Sequence, residues 1–107
     1  MVQKWPDLDL ICIKDMAGLL TPKLAESLVA AIVSVTHNAI PIAVHTHDTA
    51  GGQIATLLAC IRAGAKVVDV ASASVSGLTS QPCMQTLLRF SEQGEPGIWS
   101  GEGVRCR

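Results

Sequence analysis

Short apolar runs alternate with amphipathic segments along this chain, and the alternation predicts repeated strand–helix units. The runs at 8–13, 40–44 and 67–71 are mostly apolar, which is typical of strands covered on both faces in a parallel sheet. Between and after these runs, apolar residues recur at helical spacing. On the first predicted helix, the buried stripe is expected to consist of Leu24, Leu28, Ala31, Ile32 and Val35.

Local signals mark where the predicted helices begin and end. Thr21 is suited to cap the first helix, and Pro22 fits its first position, where a missing N–H costs nothing. Asp48 or Thr49 is expected to cap the second helix, and Gly64 to end it. The apolar residues predicted on the second and third helices are Ile54, Leu57, Leu58 and Ile61, then Met84, Leu87, Leu88 and Phe90.

The order of these elements predicts an α/β fold. Successive strands lie roughly 25 to 32 residues apart, close to the repeat of a TIM (β/α)8 barrel of about 250 residues. We therefore predict a partial TIM barrel of about three consecutive βα units over residues 1–93, with a three-layer doubly wound fold as the alternative. Residues 94–107 are rich in glycine and lack an apolar period, so they are predicted to form an irregular tail.

Composition narrows the class of protein and its partners. With 49% hydrophobic and 16% charged residues, the chain is globular in composition. A net charge of -1, no basic cluster and few aromatic residues argue against a nucleic-acid partner, and no apolar run is long enough to span a membrane. The cysteines are expected to be reduced, with Cys12 and Cys60 as small core residues. These features favour a soluble intracellular protein.

Two histidines and a lysine follow predicted strands, where parallel α/β sheets place their chemistry. His45 and His47 are two residues apart on an extended segment, so their side chains are expected to point to one face. Two neutral imidazoles can share a divalent cation such as zinc or manganese. Hydrogen-bonded histidines at a strand end explain the same spacing.

Lys14 follows the neighbouring apolar run and has several possible roles. It could pair with Asp15 or extend along the surface, or it could be a metal ligand, a carbamate or a Schiff-base nucleophile. Asp48 and Asp69 could orient the histidine N–H groups, although helix capping or other hydrogen bonds would explain them equally well. Residues 76–82 offer hydroxyl and backbone donors suited to an anion, or form an ordinary glycine-containing turn.

Four motifs together resemble the carboxyltransferase domain of the pyruvate carboxylase family. They read IKDMAGLL at 13–20, VHTHDTAG at 44–51, AGA followed by VVDVA at 63–71, and SGLTSQP at 76–82. The resemblance covers roughly residues 8–90. Oxaloacetate decarboxylase α subunits and transcarboxylase share the lysine motif and the loop, but typically differ around the histidines.

The resemblance implies that Lys14, carried as a carbamate, is a catalytic residue and binds a divalent metal together with His45 and His47. In this family the domain transfers a carboxyl group from carboxybiotin to pyruvate, giving oxaloacetate, and biotin is attached to a separate domain. The implied partners are pyruvate, carboxybiotin, the other barrel units and further copies in a homo-oligomer. Bacterial relatives would be cytoplasmic and animal relatives mitochondrial.

Several differences from the family pattern limit what is expected of the chain alone. The family's acidic metal ligand, its pyruvate-binding arginine and its proton-shuttling threonine come from other barrel units. Ala73 stands where an acid is common, and Gln85 stands where glycine is common. We therefore expect weak or absent metal binding and no turnover by the isolated chain. The alternatives are a non-catalytic assembly fragment, an oxaloacetate decarboxylase α-type enzyme and a metal-dependent Claisen or aldol enzyme.

Overall fold

A computed structural model describes residues 7–94 and 105–106, with side chains described for 7–91. A short 3-10 turn, Ala73–Val75, lies between the third strand and the third helix. The elements along the chain are β1 (Ile11–Asp15), α1 (Pro22–Thr36), β2 (Ile42–Thr46), α2 (Gln53–Ala63), β3 (Val67–Val68), α3 (Met84–Gly94) and β4 (Arg105–Cys106).

The strands form one parallel sheet in the order β1-β2-β3-β4. All three helices contribute to a single core cluster with the same face of the sheet, and α2 packs against both α1 and α3. A doubly wound sheet would reverse its strand order and place helices on both faces. The predicted partial TIM barrel is therefore confirmed, and the doubly wound alternative is wrong.

The core lies between the sheet and the helices. It contains Ile42, Val44 and Val68 from the strands, with Leu57 and Leu87 from α2 and α3, and all five are almost fully buried. Cys60 is also buried, as predicted, and burial raises the pKa of its thiol to about 11.

Cys12 was predicted to lie in the core, but the structure shows it exposed. Successive strand residues point to opposite faces. On β1, Ile13 packs against the core, so Cys12 points to the face of the sheet away from the helices. A small apolar residue in a strand therefore does not by itself indicate burial.

The predicted stripe on α1 is also wrong in part. The helix buries Ala25, Val29 and Thr36, whereas Leu24 is 59% exposed and Val35 is 64% exposed. Both faces of α1 carry apolar residues, so periodicity alone could not select the packed face. The exposed face also includes Leu28 and borders a groove of about 310 Å³, lined by Ile11, Ala31, Ile32, Val35 and Thr36.

Helix ends agree closely with the local signals. Thr21 caps α1 by accepting a hydrogen bond from the Leu24 N–H, Pro22 is its first residue, and Gly64 ends α2 with φ of 119°. The residue at the N-cap of α2 is Gly52 rather than Asp48 or Thr49. The Asp48 carboxylate nevertheless accepts a hydrogen bond from the Gln53 N–H at 3.0 Å.

The observed strands differ from the predicted ones at their ends, because only residues that pair with a neighbouring strand belong to the sheet. β1 begins at Ile11 rather than Leu8 and continues through Asp15, because it pairs with β2 over Ile42–Thr46. β3 contains only Val67 and Val68, and Ala71 forms a separate bridge with Cys83.

Part of the predicted tail is described. Arg105–Cys106 form β4 beside β3, whereas residues 95–104 and 107 lie outside the described part of the chain. The division into 1–93 and 94–107 therefore stays a prediction. Within the described ranges, no helix is both long and apolar enough to cross a bilayer.

Candidate metal centre

The candidate residues meet at the carboxyl ends of β1 and β2. Lys14 is the register partner of His45, and His47 follows the last residue of β2. Asp15 and Thr46, which alternate with them, are buried. Lys14, His45 and His47 therefore belong to the face of the sheet opposite the helices.

Asp69 fixes the orientation of His45. The Nδ1 atom of His45 lies 2.7 Å from Oδ2 of Asp69, and the two side chains are 22% and 16% exposed. An ionised carboxylate only accepts hydrogen bonds, so Nδ1 carries a proton and Nε2 presents its lone pair when the ring is neutral. Asp69 thus has the orienting role that the sequence left open.

A backbone carbonyl plays the same part for His47. The Nδ1 atom of His47 donates a hydrogen bond to the Thr79 carbonyl oxygen at 2.5 Å. The His47 backbone N–H donates to the Asp15 carbonyl oxygen at 3.3 Å. Because a carbonyl can only accept, the neutral ring of His47 also presents Nε2 as an acceptor.

The two Nε2 atoms face each other at 3.2 Å. The ring centroids are 5.2 Å apart and the ring planes cross at 66°. With both Nδ1 protons already donated, two neutral rings would bring two lone pairs together. Either a proton on one Nε2 or a cation close to both relieves this repulsion, and a shared metal ion uses both lone pairs.

Lys14 lies next to this pair and is exposed. The neighbouring Asp15 carboxylate accepts hydrogen bonds from the N–H groups of Leu19 and Leu20, both at 2.9 Å. Asp15 therefore stabilises the β1–α1 loop. A lysine at this register position can contribute a ligand from the β1 side of the two histidines.

Asp15 is an anchor for the site rather than a member of it. Burial alone would raise the pKa of its carboxyl group, but hydrogen bonds from Leu20, Leu19 and Thr46 outweigh burial and hold the pKa below its ordinary value. The Thr46 hydroxyl lies 3.1 Å from Oδ2 of Asp15. Asp15 thereby joins the end of β1 to the end of β2.

Gln53 is a polar residue of this site that sequence reasoning missed. It is 3% exposed, and its Nε2 donates to the carbonyl oxygens of Gly18 and Leu20, both at 3.1 Å. Its Oε1 lies 3.1 Å from the Thr46 hydroxyl. The available signal was its position on α2, on the buried side with Leu57 and Cys60, where a polar side chain needs internal partners.

Gly18 brings the β1–α1 loop against the histidine segment. It has φ of 66°, and a Cβ placed there would lie 2.4 Å from the His47 carbonyl oxygen. This conformation and this contact both require glycine. The loop that follows Lys14 is thus packed directly against the backbone of His47.

The loop at 76–82 closes the other side of the centre. Besides the contact of Thr79 with His47, the Ser80 carbonyl oxygen accepts a hydrogen bond from the Asp48 N–H at 2.8 Å. Ser76 donates to the Ala73 carbonyl oxygen. The loop is thus held by hydrogen bonds to His47 and Asp48, which directly follow β2, and its predicted affinity for an anion stays a prediction.

The described residues alone do not form a complete metal site of His, Cys, Asp and Glu side chains. Across residues 7–94 and 105–106, no cluster of three or more His, Cys, Asp or Glu side chains could hold a metal ion. The two histidines converge through their Nε2 atoms, Lys14 lies at the register position beside His45, and imidazole nitrogens suit a borderline cation such as zinc.

Comparisons with known proteins show the family to which the chain is related. The family described as HMGL-like matches residues 7–81. Human mitochondrial pyruvate carboxylase is 51% identical over 79 residues, which cover 74% of this chain and 7% of the relative. The chain thus spans a small part of the curated relatives it matches.

Solved structures show the same similarity. The carboxyl transferase domain of Rhizobium etli pyruvate carboxylase with pyruvate has a TM-score of 0.79 and 40% identity, covering 88% of this chain and 15% of that one. The same domain with pyruvate and biocytin has a TM-score of 0.79 and 40% identity, covering 86% and 15%. The chain belongs to the HMGL-like family, and its fold matches part of a pyruvate carboxylase carboxyl transferase domain.

Proposed function

We propose that this chain supplies three ligands of a divalent metal, Lys14, His45 and His47, within a carboxyltransferase that moves a carboxyl group from carboxybiotin to pyruvate. The observation that carries the proposal is the approach of the two histidine Nε2 atoms to 3.2 Å while both Nδ1 atoms donate elsewhere. A hydrogen bond from a protonated ring to a neutral one would bring the same two atoms together, and metal binding distinguishes the two explanations.

The two histidines and Lys14 would hold the metal in different ways. His45 is held by Asp69, and His47 by the Thr79 carbonyl oxygen, so neither ring needs to turn when a cation enters. A carbamate formed on Lys14 would convert an amine into an anionic oxygen ligand, which suits a hard or borderline cation. A zinc or manganese ion held there would act as a Lewis acid beside the carbonyl group of a keto acid.

The substrate and cofactor come from the relatives rather than from the described residues. Structures of the Rhizobium etli domain are described with pyruvate and with biocytin. By analogy, the substrate is pyruvate, the carboxyl donor is biotin attached to another domain, and the working protein is a homo-oligomer. The further barrel units would supply the acidic ligand, and the compartment would be cytoplasmic or mitochondrial.

Equilibrium dialysis of the chain against Zn²⁺ tests the ligand set. An incomplete set predicts weak or absent binding by the isolated chain, and the proposal requires the weak binding, with loss of it in His45→Ala and in His47→Ala. Lys14→Ala should weaken binding further than the matched control His37→Ala, which changes the exposed histidine that ends α1. Binding of Zn²⁺ by the parent chain no tighter than by the double variant His45→Ala/His47→Ala would overturn the proposal.

A second measurement tests the incomplete character of the site. The isolated chain should form no oxaloacetate from pyruvate and carboxybiotin, because groups from other barrel units are required. Oxaloacetate formation above the rate without protein would contradict this expectation while leaving the metal ligands to the dialysis experiment.

A further inference from the structure

Gln53 connects the segments on either side of the proposed metal centre. Its Nε2 donates to the carbonyl oxygens of Gly18 and Leu20 in the β1–α1 loop, each at 3.1 Å. Its Oε1 lies 3.1 Å from the Thr46 hydroxyl, on the residue between the two histidines. One buried side chain therefore contacts both the loop after Lys14 and the strand that carries His45 and His47.

The connection reaches the histidine backbone through Gly18. Because a Cβ at Gly18 would lie 2.4 Å from the His47 carbonyl oxygen, the loop and the histidine segment are already in close contact. The Gly18 carbonyl oxygen is held by Gln53 from the α2 side. Displacement of the loop by a fraction of an ångström would thus be transmitted to His47.

We infer that Gln53 is a positioning residue of the metal centre. It holds the β1–α1 loop and β2 at the separation at which the Nε2 atoms of His45 and His47 lie 3.2 Å apart. The inference rests on the proposed function, and it adds a residue that touches neither the metal nor the substrate. Groups that orient metal ligands typically change metal affinity by about 10- to 100-fold when they are replaced.

The test compares Gln53→Met with Thr56→Val. Methionine keeps the length of glutamine but cannot donate to the Gly18 and Leu20 carbonyl oxygens or share with Asp15 the proton of the Thr46 hydroxyl. Thr56 is 1% exposed, lies one turn along the same helix and donates to the Leu20 carbonyl oxygen at 3.1 Å. Valine at 56 therefore removes a buried hydrogen bond from this helix without touching Gly18 or Thr46.

We expect Gln53→Met to lower Zn²⁺ affinity at least about 10-fold, and Thr56→Val to change it less than about 3-fold. The metal-free protein gives an independent readout, through ¹H–¹⁵N spectra of the imidazoles and the nuclear Overhauser contact between the two rings. In Gln53→Met, this Overhauser contact should weaken, and the His47 imidazole signals should be averaged by motion of the ring. In Thr56→Val, both the contact and the signals should be preserved.

The outcomes separate this inference from the proposed function. If the parent chain fails to bind Zn²⁺, the metal proposal fails, and the inferred role in positioning a metal centre fails with it. If the parent binds Zn²⁺ and both variants lose affinity equally, or if Gln53→Met leaves affinity and the imidazole spectrum unchanged, only the inference is overturned. Should Gln53→Met not fold, Thr46→Val removes the contacts of the Thr46 hydroxyl with both Gln53 and Asp15, and an unchanged affinity in that variant would also overturn the inference.

Discussion

The carboxyl end of the sheet and the outer flank of α1 differ in how their side chains are packed and bonded. Around His45 and His47, hydrogen bonds join the β1–α1 loop, β2, α2 and the loop at 76–82. The flank of α1 exposes Leu24, Leu28 and Val35 beside an apolar groove. The first region is held by contacts within this chain, whereas the second leaves apolar area in contact with water.

This difference shows which part of a barrel can be specified locally. Hydrogen bonds at the site join segments that lie within about two βα units of one another, so a short stretch of sequence contains both partners. An apolar helix flank is buried only by a segment that packs beside it. For the outer flank of α1, the described residues contain no such segment.

The largest expected effect comes from the core that supports the site. Replacing Leu57, which is fully buried, by alanine should lower the free energy of unfolding by about 2 to 5 kcal/mol, because it removes apolar contacts and leaves a cavity. The matched change Leu24→Ala on the exposed flank should cost less than about 1 kcal/mol. Urea denaturation followed by circular dichroism measures both values.

Equal losses of unfolding free energy in the two leucine variants would contradict the contrast between the core and the flank. They would show that Leu24 is packed in solution as tightly as Leu57, so the flank would not be open. A loss confined to Leu57→Ala would support the packed face found on α1.

The next effect concerns the close approach of Gly18 to His47. Gly18→Ala should destabilise the chain by about 1 to 3 kcal/mol more than Gly51→Ala, because only the first variant adds a clash to the strain of a positive φ. Gly51 has φ of 75°, and no atom lies within 4 Å of the point that a Cβ would occupy there, so it isolates the backbone cost. Denaturation curves of the two variants give the difference directly.

Should the two alanine variants prove equally stable, the β1–α1 loop would have room to move away from His47. The site would then be less tightly joined than its contacts indicate, and the contrast with the flank would weaken. The same variants can be dialysed against Zn²⁺, where Gly18→Ala alone should lower affinity.

The smallest effect is a dependence of stability on acid. The pKa of Asp15 is lowered in the folded chain, so its contribution to stability is complete above the unfolded-state pKa and is lost as pH falls through the folded-state pKa. In Asp15→Asn, the loss of stability as pH falls below the ordinary pKa of an aspartate should be smaller than in the parent. An identical loss in parent and variant would assign the acid sensitivity to other carboxylates.

The sequence was sufficient to predict the α/β order, the start of α1, the end of α2 and the placement of the two histidines on one face. Thr21, Pro22 and Gly64 act through neighbours a few residues away, so their patterns are local. The packed face of α1 could not be predicted, because it has apolar residues on both sides. Gln53 was missed since its partners, Gly18 and Leu20, are more than 30 residues away along the chain.

Asp69 illustrates an intermediate case. Its position in an apolar strand region indicated a need for a partner, but several partners were available on sequence alone. The distance of 2.7 Å to Nδ1 of His45 resolves the choice. The role of Thr79 could not be read from its side chain at all, because the contact with His47 is made by the backbone carbonyl oxygen.

The most direct measurement is a Zn²⁺ titration of the full chain followed by ¹H–¹⁵N spectra of its three imidazoles. His37, which is exposed at the end of α1, serves as a control within the same sample. The account predicts that the Nε2 signals of His45 and His47 shift together, at a lower Zn²⁺ concentration than any shift of His37. Simultaneous shifts of all three histidines, or no shift of His45 and His47, would contradict a shared metal centre.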